Sequence, residues 1–229
     1  MSAATEKLLT PDNCTFVFID HQPQMSFGVA NIDRQLLKNN TLAMAETAKH
    51  FNVPTVLTAV ETDAFSGYIW PELMDIIGKD PIERTSMNSW EDKGFIDAIK
   101  KTGKKKLVMA ALWTEACLLF PAICALDEGY EVIIVADASG GTSVEAHDSA
   151  VRRMEKHGAD SITSCQLLLE LQRDWSRKET YDGTIAIVQK YFGAYGMGVD
   201  YAYTHVHKAS QRAKFPHKVN PPAGSKEAA

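Results

Sequence analysis

The chain has 229 residues, of which 45% are hydrophobic and 23% charged, and its formal net charge at pH 7 is -5. This length and composition predict one globular domain that buries roughly 70–75% of its unfolded surface. The acidic balance argues against nucleic acid and anionic membranes as partners, because both attract basic surfaces. A small molecule is therefore the expected ligand.

The first thirteen residues, MSAATEKLLTPDN, contain charges and no apolar signal core. The longest apolar run, ACLLFPAICAL, is too short to span a bilayer and contains a proline. These features predict a cytoplasmic protein. The four cysteines form no CxxC pair, so we expect free thiols in a reducing compartment; they are Cys14, Cys117, Cys124 and Cys165.

Short apolar runs rich in β-branched residues alternate along the chain with amphipathic stretches. Strands are predicted at 14–20, 53–60, 105–112, 130–137 and, from a weaker pattern, 160–164. Helices are predicted at about 33–50, 92–102, 115–128, 143–157 and 165–177. Alternating β and α elements with continuously apolar strands are typical of a mainly parallel sheet covered by helices on each side.

The sequence shows no internal linker, and we assign residues 1–207 to one domain. From about residue 208 the chain has scattered basic residues, prolines and small residues without periodicity. Residues 208–229 are therefore predicted to be a tail that is either disordered or packed on a neighbouring subunit.

Cys117 lies at the predicted start of a helix, where KKLVMAAL leads into WTEAC. With Thr114 as N-cap, Cys117 occupies the third helical position, and the unpaired N–H groups and helix dipole there favour a thiolate. Pro121 has no N–H to donate to the Cys117 carbonyl, which predicts a kink. The alternative is that Cys117 is only a small buried residue, as free cysteines often are.

Asp20 ends the predicted strand FVFID. In a parallel α/β sheet the carboxyl ends of the strands border one crevice, so Asp20 and Cys117 are expected to face each other there as base and nucleophile. The alternative for Asp20 is a turn or capping role before HQPQ.

Three segments resemble the isochorismatase-like cysteine hydrolases, a superfamily that includes nicotinamidases and N-carbamoylsarcosine amidohydrolase. They are FIDHQ, ALWTEAC and VADASGGTSVEAHDSAVRRMEKHGADSITS, in the expected order over roughly residues 10–180. TGKKKLVMAAL, CALDEGYEV and DASG are most similar to the YcaC-type branch. The resemblance implies an α/β three-layer sandwich with a Rossmann-like, six-stranded, mainly parallel sheet. It also implies a homo-oligomer, a tetramer or octamer.

The family uses a catalytic Asp, Lys and Cys, and the resemblance assigns two of these roles to Asp20 and Cys117. At the place of the lysine, the segment PIERTSMNSW has Arg84. Because a guanidinium stays charged, we expect Arg84 to give electrostatic support, the alternative being a surface loop residue. The resemblance further implies a cis peptide between Leu112 and Trp113. The backbone N–H groups of Trp113 and Cys117 would then form an oxyanion hole.

Five residues fall in loops that should border the crevice and are candidates to line a substrate pocket, although each aromatic among them is equally expected in the core. They are Gln22, Phe27, Asn88, Trp90 and Trp113. Gln22 also fits the family's Asp-x-Gln signature.

We expect no metal and no other cofactor. Nicotinamidases hold a metal through an Asp-x-His motif after the second strand, but ETDAFSGYIWPEL has no histidine. The alternative metal site, His205 with His207, has a ligand-like spacing but stands alone near the tail.

The predicted function is that of a cysteine-dependent hydrolase acting on a small amide, carbamoyl or related acyl substrate through a thioester. The substrate class follows from the resemblance. The alternative is a catalytically silent or redox-sensing homo-oligomeric relative, although the missing CxxC pair argues against a thioredoxin-like cycle.

Overall fold

The structure is a computed structural model that describes residues 7–206. Its six strands form one sheet in the order β3-β2-β1-β4-β5-β6, and every neighbouring pair is parallel. The strands are β1 (Cys14–Ile19), β2 (Thr55–Val60), β3 (Ile82–Arg84), β4 (Lys106–Ala111), β5 (Glu131–Val135) and β6 (Asp160–Ile162). The predicted α/β class and six-stranded sheet are confirmed, and the sheet is wholly parallel.

Helices flank the sheet on both faces, which explains why β1 and β4 are buried at every position and read as continuous apolar runs. The helices of this part are α1 (Pro23–Phe27), α2 (Arg34–His50), α3 (Pro71–Ile77), α4 (Lys93–Thr102), α5 (Leu119–Asp127), α6 (Val144–Lys156) and α7 (Ser164–Gln172). Among residues 7–206, none of the helices is both long and apolar enough to cross a bilayer.

The chain divides into two compact units, with the boundary after Arg173. The sheet and the candidate catalytic and pocket residues lie in the first unit, whereas His205 of the alternative metal pair lies in the second. The described part of the second unit contains α8 (Lys178–Tyr191) and α9 (Gly193–Tyr201), which pack against each other. The predicted domain end at residue 207 and the predicted tail at 208–229 lie outside the described residues.

Some elements have no counterpart in the predicted patterns. The strand β3 has only three residues, and two of them are charged, so it forms no apolar run. Two short helices, α1 and α3, each begin with a proline, whose fixed φ suits the first helical position. The predicted helix 165–177 ends at Gln172, because Arg173 adopts a left-handed backbone with φ 54°.

The sheet order places a ligand crevice at the carboxyl ends of β1 and β4. From the central strand β1, the chain adds β2 and β3 on one side of the sheet, and it then adds β4, β5 and β6 on the other side. In open parallel sheets, ligands bind at the point where the strand order reverses in this way. In the register, Ile19 of β1 pairs with Ala111 of β4. The residues that follow these two strands, Asp20 and Leu112, therefore meet at the crevice.

Candidate active site

Asp20 is the first residue after β1, and it is fully buried. Its backbone adopts φ 57°, a left-handed conformation that aspartate visits more readily than most residues. Its N–H donates to the Thr58 carbonyl at 3.1 Å, and its own carbonyl accepts from the Gln22 N–H at 2.7 Å. Left-handed residues of this kind concentrate at functional sites.

Arg84 ends β3 and reaches across β2 to Asp20. Its Nη2 lies 2.6 Å from both carboxylate oxygens, Oδ1 and Oδ2, while Nη1 donates to the Ser86 carbonyl. Arg84 is 4% exposed, so the alternative of a surface loop residue is wrong. Burial raises the pKa of Asp20 to about 6, although the Arg84 charge and a hydrogen bond from Cys117 act in the opposite direction.

The helix start around Cys117 differs from the prediction. A wide π-helical turn covers Thr114–Leu118, and Trp113 is the N-cap, so Cys117 is the fourth helical residue. The Thr114 hydroxyl is not a cap, since it lies 2.8 Å from Nδ1 of His147. The Leu118 N–H reaches back five residues to the Trp113 carbonyl at 3.3 Å. This wide turn ends before Pro121, which lies within the regular helix Leu119–Asp127, and the predicted kink at Pro121 stays a prediction.

Cys117 is 2% exposed, and its thiol hydrogen-bonds to the Asp20 carboxylate. The backbone N–H of Trp113 donates to the same sulfur. Burial and the Asp20 charge raise the thiol pKa to about 12, and they outweigh the opposing effects of Arg84 and the Trp113 N–H. The expectation that the helix start favours a thiolate is therefore wrong.

The peptide bond between Leu112 and Trp113 is cis, as the resemblance implies. Trp113 is the predicted partner of Cys117 in an oxyanion hole, and its N–H lies against the sulfur. The oxyanion hole itself stays a prediction.

Trp113 follows β4 and contacts the segment that contains α1, and Phe27 is the last residue of that helix. The Trp113 indole N–H donates to the Met25 carbonyl at 2.7 Å. A Cβ on Gly28 would stand 2.6 Å from the Trp113 ring, so the close approach requires glycine. Phe27 is 72% exposed and, together with Trp70, borders a surface cavity of about 260 Å³.

Gln22 is fully buried, and backbone groups use its side-chain amide. Its Nε2 donates to the carbonyls of Val60 and Gly67, and its Oε1 accepts from the Val60 N–H at 3.1 Å. Gln22 therefore holds the end of β2 and the following loop beside Asp20. This arrangement favours an orienting role over substrate contact.

Trp90 and Asn88 pack toward the C-terminal part of α5. The Trp90 indole N–H donates to Glu128 at 2.8 Å, and its ring packs edge-on against Tyr130, which precedes β5 at the amino edge of the sheet. The Asn88 side chain caps the turn at Trp90 and donates to the Cys124 sulfur at 3.6 Å. These contacts favour a structural role over a pocket role for Trp90 and Asn88, and the pocket role is untested.

His147 was not a candidate from sequence, yet it touches the turn that carries Cys117. It is buried on α6 with Ala150 and Met154, at a spacing that marks the inner face of the helix. A histidine on an otherwise apolar helical stripe is the signal that could have identified it. His21, next to Asp20, is also fully buried, and its Nε2 lies 3.1 Å from the Ala138 carbonyl.

Within residues 7–206, no three His, Cys, Asp or Glu side chains stand close enough together to hold a metal ion. His207 lies outside the described residues, so the alternative metal pair with His205 is untested. The expected absence of a metal and of other cofactors stays a prediction.

Comparison with known proteins agrees with this geometry. Residues 14–166 match the Isochorismatase domain family. The probable hydrolase YcaC of Escherichia coli is 37% identical over 169 residues, which are 73% of this chain and 81% of that protein. Two solved structures are similar to this chain: Pseudomonas aeruginosa YcaC with hexane-2,5-diol and covalent acrylamide, and E. coli YcaC, an octameric hydrolase of unknown specificity. Each superposes with a TM-score of 0.81 at 34% sequence identity, and the match covers 85% of this chain and 96% of the other. The chain therefore belongs to the isochorismatase family, and within it the chain is YcaC-like.

Proposed function

We propose that the protein is a cysteine-dependent hydrolase of small amide, carbamoyl or related acyl compounds, acting through a thioester. The observation that carries the proposal is the buried contact between the Cys117 thiol and the Asp20 carboxylate. A carboxylate whose pKa is raised to about 6 is a base matched to neutral pH. E. coli YcaC is a probable hydrolase, and the similarity of this chain to it supports the reaction class.

In the first half of the reaction, Asp20 accepts the thiol proton while the Cys117 sulfur attacks the substrate carbonyl carbon. Because the thiol pKa is about 12, little free thiolate exists, and the proton leaves as the carbon–sulfur bond forms. The backbone N–H groups of Trp113 and Cys117 would stabilise the oxyanion. The intermediate collapses when protonated Asp20 gives its proton to the leaving amine.

In the second half, Asp20 removes a proton from water, and the resulting hydroxide attacks the thioester carbon. The second tetrahedral intermediate expels the Cys117 sulfur, which takes the proton back from Asp20, and a carboxylic or carbamic acid is released. Arg84 keeps its charge throughout and holds the carboxylate in place. One carboxylate thus serves as base and acid in both halves.

One further observation favours hydrolysis over redox sensing, and a second supports a nucleophilic thiol. Sensor cysteines have low pKa values and are exposed, whereas Cys117 is buried and its pKa is raised. Acrylamide, which is covalently present in the P. aeruginosa YcaC structure, is an electrophile of the kind that nucleophilic thiols attack. By similarity to the octameric E. coli YcaC we propose a homo-oligomer, an octamer or tetramer, whose size light scattering on the purified protein would measure.

The test is a screen of small amides, carbamates and related acyl compounds for release of ammonia or amine. Wild-type protein should release product from at least one compound, and Cys117→Ser and Asp20→Asn should each lose roughly 10³-fold or more of that rate. If wild type releases nothing while its folded site is intact, the catalytically silent alternative stands. If Cys117→Ser keeps full turnover, the proposed nucleophile is wrong.

A further inference from the structure

The turn that carries Cys117 is held from one side by the segment from Gly140 to His147. The Thr114 N–H donates to the Gly140 carbonyl at 2.9 Å, and the Thr114 hydroxyl lies 2.8 Å from Nδ1 of His147. Thr114 is fully buried and His147 nearly so. Thus both the backbone and the side chain of the first residue in the turn are fixed by one neighbouring segment.

A second contact joins the same two segments. The Glu115 carboxylate accepts hydrogen bonds from the N–H and the hydroxyl of Thr142, at 3.1 and 2.5 Å. Between these contacts, a Cβ added to Gly141 would stand 2.9 Å from the His147 Cβ and 3.0 Å from Glu115 Oε2. The segment therefore fits tightly against the turn.

The surroundings of His147 favour the neutral form of its imidazole. Burial lowers its pKa, although the nearby charges of Asp148 and Glu115 act in the opposite direction. A neutral imidazole has one donor and one acceptor nitrogen, so Nδ1 can pair with the Thr114 hydroxyl without burying a charge. The contact is a hydrogen bond between two neutral groups.

We propose that His147 is a positioning residue for Cys117, acting through Thr114; this inference rests on the proposed function. The turn is wider than an α-helical turn, and Thr114 is three residues before the nucleophile. The bond from His147 therefore sets where the turn begins, and with it the distance of the Cys117 sulfur from the Asp20 carboxylate. A displacement of about 1 Å at a reacting atom can cost about 10²-fold in rate.

The test measures the chemistry of Cys117 and does not need a known substrate. The variants are His147→Phe, which keeps a ring but loses the bond, Thr114→Val, which loses only the hydroxyl, and Thr114→Ser, which restores it. His157→Phe is the matched control, because His157 ends the same helix and is exposed. The readout is the rate at which acrylamide modifies Cys117 in folded protein, resolved by peptide mass spectrometry, together with urea unfolding.

His147→Phe and Thr114→Val should each slow Cys117 modification about 10-fold to 10²-fold. Thr114→Ser should return to within a few-fold of wild type, and the double variant of His147→Phe and Thr114→Val should be no slower than either single variant. If the two single variants lose stability but keep the wild-type modification rate, His147 is only a packing residue and the proposal fails. If His147→Phe does not fold, Thr114→Val alone decides.

This outcome is separable from that of the proposed function. If no compound is hydrolysed but the variants slow modification as expected, positioning stands and hydrolysis does not. If hydrolysis is found, kcat should fall in Thr114→Val while KM stays within a few-fold, because the hydroxyl affects the attacking sulfur more than substrate binding. A fall in kcat/KM that comes entirely from KM would contradict positioning.

Discussion

Replacing Arg84 by methionine should move the pH dependence of the site upward. Arg84 Nη2 lies 2.6 Å from both oxygens of the buried Asp20 carboxylate, and removing one partner of a buried pair costs about 3–5 kcal/mol. One pKa unit corresponds to about 1.4 kcal/mol, so a loss of about 3 kcal/mol raises the Asp20 pKa by about 2. The pKa then rises from about 6 in the wild type to about 8 in the variant.

The rate of Cys117 modification should rise with pH because Asp20 acts as a base. Only the carboxylate can accept the Cys117 proton, so the rate should rise with pH as Asp20 ionises. At pH 7 the ionised fraction should fall from about nine-tenths in wild type to about one-tenth in Arg84→Met. The variant should therefore be roughly 10-fold slower at pH 7 and recover most of that loss at pH 9.

Acrylamide modification of Cys117 between pH 5 and pH 10 measures this dependence. Arg84→Lys keeps the charge and should keep a midpoint near the wild-type value. Arg152→Met is the matched control, because Arg152 is exposed on α6 and its guanidinium donates to the Ser149 hydroxyl. A midpoint in Arg84→Met that stays at the wild-type pH would refute the assignment of Arg84 as the electrostatic partner of Asp20.

Three other changes test neighbouring parts of the site. Asp20→Asn removes a negative charge that raises the thiol pKa, yet it should slow Cys117 modification by about 10²-fold because the base is lost; a faster reaction would show that Asp20 acts only as a charge. The two half-buried cysteines are internal standards. Gln22→Ala should lower the free energy of unfolding, measured in urea, by about 2–4 kcal/mol, because Val60 loses both its partners; an unchanged value would mean that water replaces the amide. Trp90→Phe should cost about 1 kcal/mol of stability and leave the KM of any substrate unchanged, whereas a large rise in KM would place Trp90 in the pocket.

Local sequence patterns predicted the buried parallel strands well. The runs at β1 and β4 are apolar throughout because both sheet faces are covered, and their predicted bounds differ from the structure by one residue at each misplaced end. The short strand β3 has no such run, since its sequence IER presents charge at two positions out of three. A sixth strand is expected only because the family that the sequence resembles has a six-stranded sheet.

Local sequence patterns predicted the contacts within the site less well than they predicted the strands. Asp20 and Arg84 are 64 positions apart, and no periodicity connects a central strand with an edge strand. Only the family resemblance placed them together. The sequence predicts a lowered thiol pKa from the helix start and Arg84, whereas in the structure burial, which arises only from the tertiary fold, is the largest effect and raises that pKa.

Likewise, the bond between Thr114 and His147 spans 33 positions, and the local pattern gave Thr114 a capping role that the fold does not use. The histidine on the inner stripe of α6 was a signal that sequence alone contained. Its partner depended on how α6 packs against the turn, which no local pattern encodes.

The most direct test of the account is to trap the thioester. Protein would be mixed with the best substrate from the amide and carbamate screen, quenched in acid within the first turnovers, digested and analysed by mass spectrometry. The account predicts an acyl group on the peptide that contains Cys117, formed and lost at rates matching turnover and absent from Cys117→Ser. Turnover at the full wild-type rate without any acyl adduct on that peptide, or with the adduct on another residue, would contradict it.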